Sequence, residues 1–220
     1  MRSGTGTRAA PTIERFGAAD DPGTTLAVLA VHGRDQTPAF MRGIAERLQD
    51  PHTAWFAPAA PGETWYPRSF LVPVADNQPD LDDSLTGMRA SLALIRQAGW
   101  PEERTVVLGF SQGAVVLSQL LLSAPAPPCA GAVLLTGGFV GPPGTPPPDG
   151  TAWTGHPVFC GLVENDPWVP LSRARHTADV LRERGADVEL RVYPGDVHEV
   201  NDDEIAAVAT LLDTVRRRRL

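Results

Sequence analysis

Ser111 stands in the run Gly109-Phe110-Ser111-Gln112-Gly113, between the apolar stretches Thr105-Val106-Val107-Leu108 and Ala114-Val115-Val116-Leu117. A serine flanked this way, at a sharp turn from strand to helix, can act as a nucleophile because the turn lifts its hydroxyl clear of the backbone. Glycine is required at the flanking positions because a side chain there would collide with neighbouring main chain. The same five residues could form an ordinary glycine-rich turn, so the remaining chemistry must decide.

A serine hydroxyl is a weak nucleophile. It needs a base to take its proton, and the base needs an acid to fix its tautomer and stabilise its charged form. Where this elbow serves α/β-hydrolase chemistry, the partners follow in the order Ser, Asp or Glu, His, each on a loop after a strand. Asp166 meets the first condition within Glu164-Asn165-Asp166-Pro167-Trp168-Val169-Pro170, and His198 meets the second within Tyr193-Pro194-Gly195-Asp196-Val197-His198-Glu199. Asp166 could instead be a turn residue, since Asn-Asp-Pro favours turns, and Glu164 is the nearest competing acid. His198 could cap the helix that follows it. His52, His156 and His176 fit less well: the first two precede strands and the third falls within a helical pattern.

The tetrahedral intermediate of acyl transfer needs two N–H donors aimed at its oxyanion. Gln112 supplies one from the start of the helix. The turn His32-Gly33-Arg34-Asp35, after an apolar run, supplies the other. The second donor is assigned to Arg34, with Gly33 permitting the turn and His32 orienting the loop.

These residues must be held by alternating strands and helices. Strands are predicted at 26–31, 53–57, 104–110, 131–135, 157–163 and 188–193, and helices at 38–48, 83–98, 112–123, 172–184 and 202–217. Asp83 or Ser84 is expected to cap the second helix. Such alternation implies a mostly parallel central sheet flanked by helices, an α/β class. Residues 11–220 are expected to form one domain, residues 1–10 to be disordered, and the Pro- and Gly-rich stretch 137–155 to be a surface loop rather than a linker.

Composition narrows the function. The 220 residues carry a formal net charge of −7, which argues against nucleic acid as a partner. All 19 basic residues are arginine, a bias with no functional reading. The basic run 216–219 reads as a solvated helix end, where cations suit the helix dipole. Cys129 and Cys160 sit in or beside apolar runs and read as buried, reduced thiols. No secretory leader is visible at 1–10, and no run of about 18 apolar residues exists to span a membrane. The chain is therefore expected to be cytoplasmic, with no metal and no cofactor.

Taken together, Val31-His32-Gly33-Arg34, the elbow around Ser111, Asp166 with Val169-Pro170, and Tyr193-Pro194-Gly195 with His198-Glu199 resemble the carboxylesterase/phospholipase family, which includes acyl-protein thioesterases and bacterial carboxylesterases. Thr64-Trp65-Tyr66-Pro67 and Phe70 look like a bacterial branch of it. The resemblance runs from about Leu26 to the end of the chain. It implies an α/β-hydrolase fold and a nucleophile, acid and base at Ser111, Asp166 and His198; a length of 220 residues leaves no room for a large lid domain. One residue departs from the pattern: Asp35 stands where the family commonly has glycine, beside the oxyanion loop.

The implied reaction is hydrolysis of carboxylic esters or thioesters through an acyl-enzyme. Competing readings are acyl transfer, or lactone or carbon–carbon cleavage with the same triad, and a catalytically silent binding protein. Candidate substrate walls are Trp65, Tyr66 and Phe70, Phe139 and Val140, and Trp168 and Val169, because aromatic loops at strand C-termini suit apolar acyl or aryl groups; some could instead be core packing, Phe70 at least equally, and Trp65 and Trp168 fit the wall best. The expected partner is a small-molecule ester, and a homodimer is the candidate assembly.

Overall fold

The computed structural model describes residues 12–18 and 24–218. The stretch 1–10, expected to be disordered, lies outside the described residues.

Seven strands form one sheet: β1 (Ile13–Gly17), β2 (Leu26–Val31), β3 (Thr53–Pro58), β4 (Thr105–Phe110), β5 (Gly131–Leu135), β6 (Pro157–Val163) and β7 (Asp187–Tyr193). Their order is β1-β3-β2-β4-β5-β6-β7. β1 runs antiparallel to β3 and every other pair is parallel. Every residue of β2, β3, β4, β5 and β6 is buried, as continuous apolar runs covered on both faces require.

Five α-helices provide that cover: α1 (Pro38–Leu48), α2 (Asp80–Gln97), α3 (Gln112–Leu122), α4 (Leu171–Glu183) and α5 (Asp202–Arg217). Met41 and Ile44 of α1 join Val208 and Leu212 of α5 in one apolar cluster. Met88 of α2, Leu117 of α3 and Ala178 of α4 belong to the cluster on the other face. All eleven residues of α3 are buried, so the helix leaving the elbow is a central element. This is the α/β-hydrolase arrangement that the sequence implies.

Three details differ from the sequence reading. β1 was not expected, because Ile13-Glu14-Arg15-Phe16-Gly17 has polar residues at its centre. It is an edge strand created by pairing with β3, with Phe16 stacked on Trp55 at 6.1 Å between ring centroids. The second helix begins at Asp80 without a side-chain cap, and the Ser84 hydroxyl instead donates to the Trp65 carbonyl at 2.6 Å. Arg216 is not a solvated end residue: its guanidinium pairs with Asp50 and Asp213.

The site follows from the strand order. The chain leaves β2 toward β3 on one side, and β4 then pairs on the other side of β2. The loops after β2 and β4 therefore diverge at a topological switch point, where open α/β sheets bind ligands. Val31 and Gly109 are register partners at those two strand ends.

Candidate active site

Ser111 lies between β4 and α3 with φ 52° and ψ −120°, a conformation that L-residues rarely adopt. The packing explains both flanking glycines. A Cβ at Gly109 would lie 2.7 Å from the Ala114 nitrogen, and one at Gly113 would lie 2.1 Å from the Val31 carbonyl oxygen. Any larger residue would push the elbow off the sheet.

The Ser111 Oγ lies 2.8 Å from His198 Nε2, and His198 Nδ1 lies 2.7 Å from Asp166 Oδ2. The other carboxylate oxygen of Asp166 accepts from the Trp168 and Val169 N–H groups, each at 2.9 Å. Burial works against ionisation of Asp166, but the His198 bond and the two amides outweigh it and hold the carboxyl below the usual carboxylate range. An ionised Asp166 can only accept, so Nδ1 carries the proton and Nε2 is free to accept from the serine hydroxyl. Glu164 is exposed and takes no part.

His198 does not cap the following helix. Asn201 does: its side chain accepts from the Glu204 N–H, and the Glu204 carboxylate accepts from the Asn201 N–H, both at 2.9 Å. This reciprocal capping box fixes the end of the His198 loop. Burial pushes the Glu204 carboxyl up to about 7.

The loop after β2 lies against Ser111. A Cβ at Gly33 would be 3.1 Å from the Ser111 Cβ and 2.9 Å from the Gln36 Oε1, so a larger residue there would press on both side chains. His32 is fully buried, and Ala60 N–H donates to its Nε2 at 3.1 Å. Its Nδ1 must then carry the proton, and it donates to the Gly33 carbonyl at 2.7 Å. Burial lowers the pKa of this ring, in keeping with a neutral structural histidine. Among the described residues, no acceptor is recorded for the N–H of Arg34 or Gln112. Both residues line the same cleft as Ser111.

Asp35 has φ 57°, the left-handed region that glycine enters without strain and that Asp tolerates. Its carboxylate is exposed on the cleft and does not pair with Arg34, whose guanidinium donates to the carbonyls of Tyr66, Pro67 and Arg68.

A cleft of about 460 Å³ opens at Ser111 and His198, walled by Tyr66, Phe70, Val115, Trp168 and Val169. The sequence reading placed Trp65, Phe139 and Val140 on this wall, and the structure places them in the core. Trp65 is 2% exposed, and its indole N–H donates to the His32 carbonyl at 2.8 Å. Phe139 is 0% exposed, beneath the Arg173 guanidinium at 4.4 Å. Both loops turn inward because large aromatic surface gains more from the helix-facing core than from the rim. Trp168, 69% exposed, stands at the mouth. Val115 was missed, although it lies one helical turn beyond Ser111 and could have been found by that spacing. The Gln112 side chain was also missed, and no local signal marks it.

Among the described residues, no helix is long and apolar enough to cross a membrane, and no group of three or more His, Cys, Asp or Glu side chains could hold a metal.

A parallel α/β sheet with a serine elbow at its switch point defines the class: an α/β-hydrolase. The phospholipase/carboxylesterase family model matches residues 19–216. A phospholipase/carboxylesterase from Dyadobacter fermentans superposes with a TM-score of 0.80 at 30% identity, covering 92% of this chain and 96% of that one. The Bacillus cereus carboxylesterase gives 0.74 at 19% identity, covering 95% and 96%. Esterase PE8 gives 0.73 at 19%, covering 94% and 100%. The chain belongs to the phospholipase/carboxylesterase family and is a carboxylic ester hydrolase.

Proposed function

We propose that this enzyme cleaves carboxylic esters, thioesters included, through an acyl-enzyme on Ser111, with His198 as base and Asp166 as its orienting acid. The observation that carries this reading is the unbroken relay from Asp166 through His198 to Ser111, at 2.7 and 2.8 Å.

In acylation, the Ser111 hydroxyl gives its proton to His198 Nε2 as Oγ attacks the acyl carbon. The oxyanion is held by the N–H groups of Arg34 and Gln112, the latter at the positive end of α3. The imidazolium, stabilised by Asp166, returns its proton to the departing alcohol or thiol. A water activated by His198 then hydrolyses the acyl-enzyme by the same steps. The apolar acyl or alcohol group lies along Tyr66, Trp168 and Val169. Two buried, unpaired thiols, Cys129 and Cys160, accord with a reducing, cytoplasmic setting.

Ser111→Ala tests the reading. Turnover of a short-chain aryl ester is expected to fall by on the order of 10⁴-fold or more, with circular dichroism unchanged. Undiminished turnover would overturn it.

A further inference from the structure

We propose that the side chains of Arg34 and Gln112 set the width of the oxyanion hole by gripping one shared strut, the main-chain carbonyl of Tyr66. The inference rests on the serine-hydrolase reading above. It concerns the side chains of the two residues whose N–H groups serve the oxyanion, and it makes those side chains positioning groups.

The geometry is specific. Gln112 Nε2 donates to Tyr66 O at 2.8 Å, and Arg34 Nη2 donates to the same oxygen at 2.8 Å. The orientation of the Gln112 amide is fixed independently, because its Oε1 accepts from the Trp65 N–H at 2.9 Å. Arg34 reaches two more carbonyls, Pro67 at 3.2 Å and Arg68 at 3.1 Å. A planar guanidinium engaged at three successive carbonyls is held in one orientation. Three of its five N–H donors are thereby committed to the protein's own backbone.

Three segments meet at this carbonyl: the loop after β2, the elbow after β4, and the segment after β3. The strands β2 and β4 fix where the first two segments begin. Beyond the sheet, the separation of the Arg34 and Gln112 N–H groups depends on what ties their loops together. The Asp35 N–H, which donates to Glu63 O at 2.9 Å, binds the first loop to the same third segment. That third segment also supplies Tyr66 and Phe70 to the cleft wall. Substrate contact and oxyanion geometry therefore share one mechanical support, and pressure of a bound acyl group on Tyr66 is transmitted to both donors.

The test uses Arg34→Met, which keeps the aliphatic stem and the main-chain N–H but removes the fork. Arg34 is exposed, so this variant keeps the fold. Gln112→Glu is its counterpart: it retains an acceptor for the Trp65 N–H and turns the donor facing Tyr66 O into a second acceptor. For each variant and for the pair, kcat and KM for an aryl ester and the Ki of a trifluoromethyl ketone are measured. Arg34→Met is expected to lower kcat by about 10- to 100-fold, with KM within about threefold and ketone affinity falling in parallel. Arg34→Lys, which can reach one carbonyl, is expected to recover part of the loss. The double variant should lose far less than the product of the single losses, because both release the same carbonyl. Wild-type kcat in Arg34→Met, a loss confined to KM, or multiplicative losses would overturn the proposal. If Ser111→Ala is inactive while Arg34→Met is unaffected, only the strut fails. If Ser111→Ala remains active, the serine-hydrolase reading itself fails.

Discussion

The two sides of the cleft are built by different means. On the side of the proposed acid and base, Asp166 and His198 are fixed by neighbours close in sequence. Asp166 is clamped by the amides of Trp168 and Val169, and the His198 loop ends in the box between Asn201 and Glu204. On the side proposed to hold the oxyanion, the ties span the chain: Trp65 to His32, Gln112 to Tyr66, and Ser84 to Trp65. Local ties place the side chains, and two long-range bonds, Asp166 to His198 and His198 to Ser111, complete their reach. Distributed ties place backbone N–H groups, which cannot rotate toward their target and must be carried there by the whole loop.

This contrast predicts separable failures. Among the variants that probe this contrast, the largest effect is expected from Asp166→Asn, which should lower kcat by about 10³- to 10⁴-fold through loss of the productive His198 tautomer. Trifluoromethyl ketone affinity should fall too. The pH dependence has a definite sign. The folded-state pKa of Asp166 is depressed, so its stabilisation is fully present above the usual carboxylate pKa and is lost as pH falls below it. The stability gap between wild type and Asp166→Asn should therefore narrow in acid unfolding below that range.

Next is Trp65→Ala on the oxyanion side. It removes a buried indole and its bond to His32 O, and is expected to cost about 3–5 kcal/mol in denaturant unfolding. Activity should fall with stability, since His32 and the Arg34 loop lose their backing. A variant that is destabilised but fully active would break the link between packing and the oxyanion loop.

Glu204→Gln probes the local ties. The Glu204 pKa is raised to about 7, chiefly by burial, with Asp203 adding to the rise and Arg47 opposing it. An acid with a raised folded pKa loses stability as pH climbs from its unfolded value toward the folded one. Glutamine keeps the capping box without the charge. The variant should match wild type near pH 5 and exceed it by up to about 3 kcal/mol at pH 8, read by thermal melts. An unchanged pH profile would refute this account of Glu204.

The smallest effect is expected from Trp168→Ala. Its indole is 69% exposed, so stability should change by less than about 0.5 kcal/mol. KM for an apolar ester should rise several-fold, about 1 kcal/mol of lost contact. Trp65 and Trp168 thus form a matched pair: one aromatic loop supports the backbone, the other meets the substrate.

That pair also marks the limit of sequence reading. Both tryptophans follow strands, in turn-rich segments with similar signals, and both were expected on the cleft wall. Only Trp168 is there. Phe139 was misplaced for the same reason. Ser84 was expected to cap a helix, and its hydroxyl was instead taken by the Trp65 carbonyl, a partner invisible to local pattern.

By itself the sequence determined the alternation of strands and helices, the elbow, and the Ser, Asp, His order that brings Ser111, Asp166 and His198 within hydrogen-bonding distance. These are local or ordinal properties: buried parallel strands need apolar runs, a strained turn needs glycine, and loops at one sheet edge converge once the strand order is set. The tertiary structure alone decided the antiparallel edge strand, the inward turn of Trp65 and Phe139, the use of the positive φ at Asp35, and the convergence of Arg34 and Gln112 on Tyr66 O. Those depend on how much apolar surface each loop can bury and on which carbonyl comes within 3 Å of which donor, quantities that exist only after segments distant in the chain have packed.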